Sequence, residues 1–146
     1  MRVLIVKLSS MGDVIQALPA VTDACNALSS VQFDWVVDES FSEIPGWHGG
    51  VSSVVTSAHR RWRTKLFSGA ISEVSTFTSA LRSSQYHKVI DAQANFKSAA
   101  VSFLAPGEKH GLDANSVREY GAQRAYSQTH PIDKNQLAIN RWHPKK

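Results

Sequence analysis

Four short runs rich in β-branched and aromatic residues, separated by stretches long enough for helices, limit the folds open to this chain. They are Arg2-Val3-Leu4-Ile5-Val6-Lys7-Leu8, Gln32-Phe33-Asp34-Trp35-Val36-Val37-Asp38, residues 51–56 and His87-Lys88-Val89-Ile90-Asp91. Runs of this composition read as strands. Strands that alternate with helices argue for a parallel sheet covered by helices on both faces. The expected fold class is therefore α/β and Rossmann-like.

The intervening segments agree. Pro19 suits the first turn of a helix, and Val21, Ala24 and Leu28 follow at helical spacing. Ser29 and Ser30 end that helix. Residues 41–47 form a short connector broken by Pro45 and Gly46. Ile71, Val74, Phe77 and Leu81 make an apolar stripe, which predicts an amphipathic helix over 70–83. Residues 96–104 are predicted helical, stopped by Pro106 and Gly107, and residues 108–112 suit a short fifth strand. A further helix start is expected near Arg118. Beyond residue 122 the pattern fades, so residues 123–146 are expected to be an irregular tail, poorly ordered at its end.

A chain of 146 residues with 42% hydrophobic content suits one domain. No apolar run approaches the length of a membrane span, and no signal peptide precedes the first strand. The single cysteine, Cys25, excludes an internal disulfide and suits a reducing compartment. A cytoplasmic location is expected. The net charge of +4 is local: Arg60, Arg61, Arg63 and Lys65 account for all of it, because the remaining basic residues equal the acidic ones. Such a patch implies an anionic partner, whether phosphate, sugar acid, nucleic acid or membrane surface.

Ser9-Ser10-Met11-Gly12-Asp13 follows the first strand, in the strand-to-helix turn where open α/β sheets place ligands. Gly12 allows unusual backbone geometry and close ligand approach, and Asp13 is suited to accept a proton from a hydroxyl. The plainer alternative is that Asp13 caps the following helix. The segment His59-Arg60-Arg61-Trp62-Arg63-Thr64-Lys65-Leu66-Phe67 mixes cations with aromatics: arginine forks suit phosphate and carboxylate, and Trp62, Leu66 and Phe67 suit acyl chains or a membrane interface. A solvated basic face is the alternative. Lys97, just past the fourth strand, is either an anion contact at the same sheet edge or a surface lysine. Arg118 is either an anion contact or the partner of a neighbouring acid. The six histidines show no metal-ligand spacing. There is no G-x-x-x-x-G-K loop, and the first turn has one glycine where a dinucleotide fold wants three.

The string SSMGDVIQALP resembles the opening of the bacterial heptosyltransferases of glycosyltransferase family nine. Four segments are similar in the same order: MRVLIVKLSSMGDVIQALPAVTDA, FDWVVDESFSEIPGWH, HRRWRTKLFS, and VIDAQANFKSA followed by KHGLDANSVRE. The resemblance implies an inverting, metal-free transfer of heptose from ADP-heptose to a Kdo sugar of Kdo-lipid A. It implies the GT-B fold, with the acceptor on an N-terminal Rossmann-like domain and the donor on a C-terminal one that is missing here. In those terms residues 1–122 are an acceptor-binding domain, inactive alone, and residues 123–146 begin a linker. Asp13 would be the general base, with Ser10 and Gly12 shaping its turn. Arg60, Arg61, Arg63 and Lys65 would bind the anionic acceptor, with Lys97 and Arg118 as secondary contacts. The resemblance also implies peripheral contact with the inner membrane's cytoplasmic face, no bound cofactor in this half and no nucleic-acid partner. Ala94 departs from the family, where glycine is usual, as does Leu137, where histidine is usual. A non-catalytic module for anionic lipid or oligosaccharide is the main alternative. A nucleic-acid binder lacks a recognised motif, and a small dinucleotide-binding protein lacks the glycines.

Overall fold

The computed structural model describes residues 1–64 and 69–133. Within them, six parallel strands form one sheet: β1 (Arg2–Val6), β2 (Gln32–Asp38), β3 (Val51–Ser57), β4 (Lys88–Asp91), β5 (Glu108–Leu112) and β6 (Gln128–His130). Their spatial order is β3-β2-β1-β4-β5-β6. The order reverses between β1 and β4, and that reversal opens a crevice at the strands' C-terminal ends.

Among the described residues, four α-helices cover the sheet: α1 (Met11–Ala27), α2 (His59–Thr64), α3 (Ala70–Arg82) and α4 (Phe96–Leu104). Alternation along β1 divides the core. Val3 and Ile5 pack with Val14, Ala17 and Val21 of α1, under Phe33, Trp35 and Val37. Leu4, Val6 and Leu8 point the other way, onto Phe77 and Leu81 of α3 and Val101 of α4. Covering both faces explains why β1 and β2 are nearly continuous apolar runs. The exception in their interiors, Asp34, is buried and paired with Arg2 at 2.9 Å. The expected Rossmann-like parallel sheet with helices on both faces is what the chain adopts.

Several boundaries differ from expectation. The first helix starts at Met11, so Pro19 lies inside it rather than in its first turn. Ser10 occupies the cap position, and the helix accepts the loss of one hydrogen bond at Pro19. Only half of the predicted stripe on α3 is buried: Phe77 and Leu81 lie inside, while Ile71 is 74% exposed. The first turn of α3 faces α2 rather than the sheet, with Glu73 meeting Arg61 and Trp62. No helix begins near Arg118; residues 113–117 make a hydrogen-bonded turn around Asp113. The sheet also runs past residue 122 into β6, so the expected boundary falls inside the ordered unit. β6 was illegible because all three of its residues are exposed and polar. It is held by backbone pairing to β5, after Tyr126 has anchored the chain in the core. The expected disorder at 140–146 concerns residues outside those described, as does Leu137.

Candidate functional site

The crevice is built from the turns that follow β1 and β4. After β1, Lys7 is held at both ends: its carbonyl accepts from the Trp35 indole at 3.1 Å, and its buried ammonium donates to the Ala92 carbonyl at 3.1 Å. The Ser9–Ser10 peptide bond is cis. Asp13 is the third residue of α1, three past the Ser10 cap, and its carboxylate accepts from the Ser10 amide at 3.4 Å. The capping alternative is thus satisfied in part: Asp13 closes the helix start as the reaching-back member of a capping box. Its Oδ2 also lies 3.9 Å from the Lys7 ammonium and 3.6 Å from the Arg118 guanidinium, with 26% of the side chain exposed. Asp13 is therefore a solvent-reachable carboxylate between two cations.

Gly12 does not carry the unusual backbone expected of it. It is helical with φ outside the left-handed region, and a side chain added there would meet nothing within 4 Å. That open space is compatible with close approach of a ligand.

After β4, the buried Gln93 ties the two turns together. Its Oε1 accepts from the Leu8 and Ser9 amides at 2.9 and 3.0 Å, and its Nε2 donates to the Ser9 hydroxyl at 3.2 Å. Gln93 is itself set by Asp91, which is 1% exposed. One Asp91 oxygen accepts from the Gln93 and Ala94 amides, and the other accepts from the Tyr126 hydroxyl at 2.7 Å. Burial pushes the Asp91 carboxyl up from its ordinary range, opposed by these hydrogen bonds. The Ala94 carbonyl then takes the Arg118 amide at 3.0 Å, which fixes the loop that brings Arg118 to Asp13.

Ala94 has φ +60° and is fully buried. A left-handed residue with a Cβ is strained by about 1–2 kcal/mol, which explains why glycine would suit this position. Glycine loses about 0.5–1 kcal/mol of chain entropy on folding, and a buried methyl would also go. Ala94→Gly is therefore expected to be near neutral, within about 1 kcal/mol. The same replacement at Ala99, inside α4, should cost about 1 kcal/mol or more. Thermal melts of the two variants compare them directly, and equal losses would remove the strain argument.

The basic cluster divides. Arg60 is 62% exposed, with its nearest acid Asp38 at 3.7 Å, and Arg63 is exposed. Arg61 is instead gripped by Glu39, at 3.0 Å, and by Glu73. Its guanidinium is raised further above its ordinary value by those two acids, Glu39 first. Arg61 therefore braces α2 against α3, away from Asp13. Trp62 turns inward, stacked obliquely on Phe77 with its indole donating to Glu73, so it is not a free contact for acyl chains. Lys65, Leu66 and Phe67 lie outside the described residues. Lys97 is exposed at the start of α4.

The connections that follow β1, β3, β4 and β5 thus gather Asp13, the α2 arginines, Lys97 and Arg118 onto one edge of the sheet. Lys7, Gln93, Asp91 and Asp38 are buried members of that edge, and the first three were not among the sequence candidates. Lys7 and Asp91 did leave a signal: each is a charge directly after an apolar run, residues 3–6 and 89–90.

The model of glycosyltransferase family 9 (heptosyltransferase) matches residues 74–144. Over 143 residues the chain is 51% identical to lipopolysaccharide heptosyltransferase 1 of Escherichia coli (strain K12), covering 97% of this chain and 45% of that protein. The chain is related to the family 9 heptosyltransferases. The protein of the same description from Pseudomonas aeruginosa is 46% identical, with 97% of this chain and 40% of that one covered. The solved E. coli heptosyltransferase WaaC with ADP-2-deoxy-2-fluoro heptose superposes at a TM-score of 0.94 with 49% identity, over 97% of this chain and 46% of that one. The chain thus spans less than half the length of the heptosyltransferases it matches. Among the described residues, no helix is long and apolar enough to cross a membrane.

Proposed function

We propose that this chain is the acceptor-binding part of an inverting heptosyltransferase of lipopolysaccharide core synthesis, with Asp13 as general base. The observation that carries the reading is the placement of Asp13: a part-exposed carboxylate at the sheet's reversal point, between Lys7 and Arg118. A base there removes the proton from the acceptor hydroxyl as that oxygen attacks the anomeric carbon of the donor sugar. The carbon–oxygen bond to the nucleotide diphosphate breaks on the opposite side, and the anomeric centre inverts. Lys7 and Arg118 hold the carboxylate in place. Ser10 and the open space over Gly12 shape the acceptor's approach.

Arg60, Arg63, Lys97 and Arg118 supply the exposed positive charge for the carboxylates and phosphates of a Kdo-lipid A acceptor. Arg61 serves as the brace that holds α2 in position, and Lys65 continues the cluster in sequence. The acceptor-binding unit runs through β6. The donor, ADP-heptose, is assigned to the remainder of the length seen in the relatives, so this chain alone binds without turning over. Half a cleft cannot supply the proximity on which transfer depends. An acceptor anchored in lipid places the protein at the cytoplasmic face of the inner membrane, where a basic edge is attracted to anionic headgroups.

Calorimetric titration tests the reading. The chain is expected to bind a deacylated, phosphorylated Kdo oligosaccharide, with affinity falling as salt rises because exposed charges are screened. ADP-heptose titrated separately is expected to give no heat of binding. The reverse pattern would mean that these residues form the donor side of the cleft.

A further inference from the structure

His59 opens α2 at the same sheet edge, and it was not among the residues expected to bind. Its ring is mostly enclosed, with 17% of the side chain exposed. Nδ1 faces the end of the sheet, 3.4 Å from the Ser57 hydroxyl and 3.6 Å from Oδ2 of Asp38. Asp38 is 1% exposed, and its other oxygen caps the following turn by accepting from the Ser40 amide at 3.0 Å. Its Oδ2 has no hydrogen-bond partner among the described residues. A buried carboxylate oxygen left this way is costly. The His59 imidazole and the Arg60 guanidinium stand just beyond hydrogen-bond reach of it. Nε2 of His59 has no partner among the described residues either.

We propose that His59 is a further anion-contact residue of the acceptor edge, taking up a proton as an anionic saccharide group binds. The inference rests on the acceptor-site reading above and deepens it. A proton on Nδ1 gives the orphaned Asp38 oxygen a donor, and a proton on Nε2 gives the ligand one. The doubly protonated ring satisfies both sides, so it suits the bound state.

The charges around the ring explain why the free protein does not already hold that proton. Burial lowers the His59 imidazole below its ordinary value; Asp38 opposes this, while Lys97, Arg60 and Arg63 lower it further. Asp38 belongs to β2, Lys97 to α4 and the two arginines to α2 itself, while β3 brings the uncharged Ser57 hydroxyl. An anionic group seated among those three cations cancels their repulsion and raises the imidazole. Linkage then sets the sign. A ligand that raises the pKa binds more tightly below the bound-state value, and the gain grows until pH falls to the free-state value.

The probe is a sulfated disaccharide, whose own charge is constant between pH 5.5 and pH 8, titrated alongside the Kdo oligosaccharide. Wild-type affinity is expected to rise by about tenfold as pH falls across this range, with proton uptake read from titrations in buffers of different ionisation enthalpy. His59→Gln is expected to bind with a flat pH profile and no uptake. Asp38→Asn, which keeps an oxygen for the Ser40 amide, should move the wild-type profile to lower pH. The His59 ring resonance of the unaltered protein, followed by NMR with and without the disaccharide, gives the same answer without a substitution. An unchanged profile in His59→Gln, or a ring resonance indifferent to ligand, sinks this inference and leaves the acceptor site standing. No saccharide binding at any pH would sink both.

Discussion

Replacing Asp13 with asparagine, in a form of the enzyme that includes the donor-binding part, is expected to slow sugar transfer by about 10²–10⁴-fold, the contribution of a positioned general base. Acceptor affinity should change far less, and in the tighter direction. Asparagine matches aspartate in shape and keeps an oxygen for the Ser10 amide, so the start of α1 survives. What disappears is the proton acceptor and one negative charge. Without that charge, Lys7 and Arg118 are left facing the crevice with less compensation, which favours an anionic ligand. The check is a steady-state comparison in which kcat falls while KM for the acceptor holds or drops. A variant that keeps its kcat would reduce Asp13 to a member of the capping box, and the non-catalytic binding module would then be the better account.

The largest effect on stability is expected at Asp91. Asp91→Ala strands the Gln93 amide, the Ala94 amide and the Tyr126 hydroxyl in the interior. Each unsatisfied buried donor costs about 1–3 kcal/mol, so with partial relaxation the variant should lose about 3–5 kcal/mol. Asp91→Asn should lose much less, because an amide oxygen still accepts from both backbone groups and its NH2 donates to Tyr126. The pH dependence separates charge from hydrogen bonding. Burial raises the folded-state pKa of Asp91 above its unfolded value. Its contribution is therefore fully present below the unfolded pKa and is lost as pH rises through the folded one. The Asn variant escapes that loss, so it should gain on wild type as pH rises across the carboxylate range. Urea denaturation at several pH values reads the difference, and parallel curves would mean that the charge is not felt.

Local signals carried most of the architecture. β-branched runs located β2 and β4 almost to the residue, and the Pro106-Gly107 stop ended α4 where expected. Those signals work because strand and helix periods are properties of neighbouring residues. They failed where a distant partner decides. Ile71 fits the stripe of α3 but lies where the helix leaves the sheet. β6 has no apolar pattern because only its backbone is used. Pro19 reads as a helix start, yet the helix had already been nucleated at Ser10.

The candidate site divides along the same line. Asp13, Lys97, Arg118 and the α2 cations were legible as charges near strand ends. Their separate duties were not, since Arg61 differs from Arg60 and Arg63 only in the two acids folded against it. The buried layer beneath was out of reach altogether: the bonds from Lys7 to Ala92 and from Leu8 to Gln93 join residues 85 apart in the chain. The sequence alone determined the strand–helix alternation, the carboxylate in the first turn and the position of the excess charge, because each is written in adjacent residues. Only the tertiary structure decided which charges meet Asp13, which serve as braces, and that His59 faces a buried carboxylate oxygen with no hydrogen bond among the described residues. Those outcomes depend on parallel strands bringing remote turns to one edge.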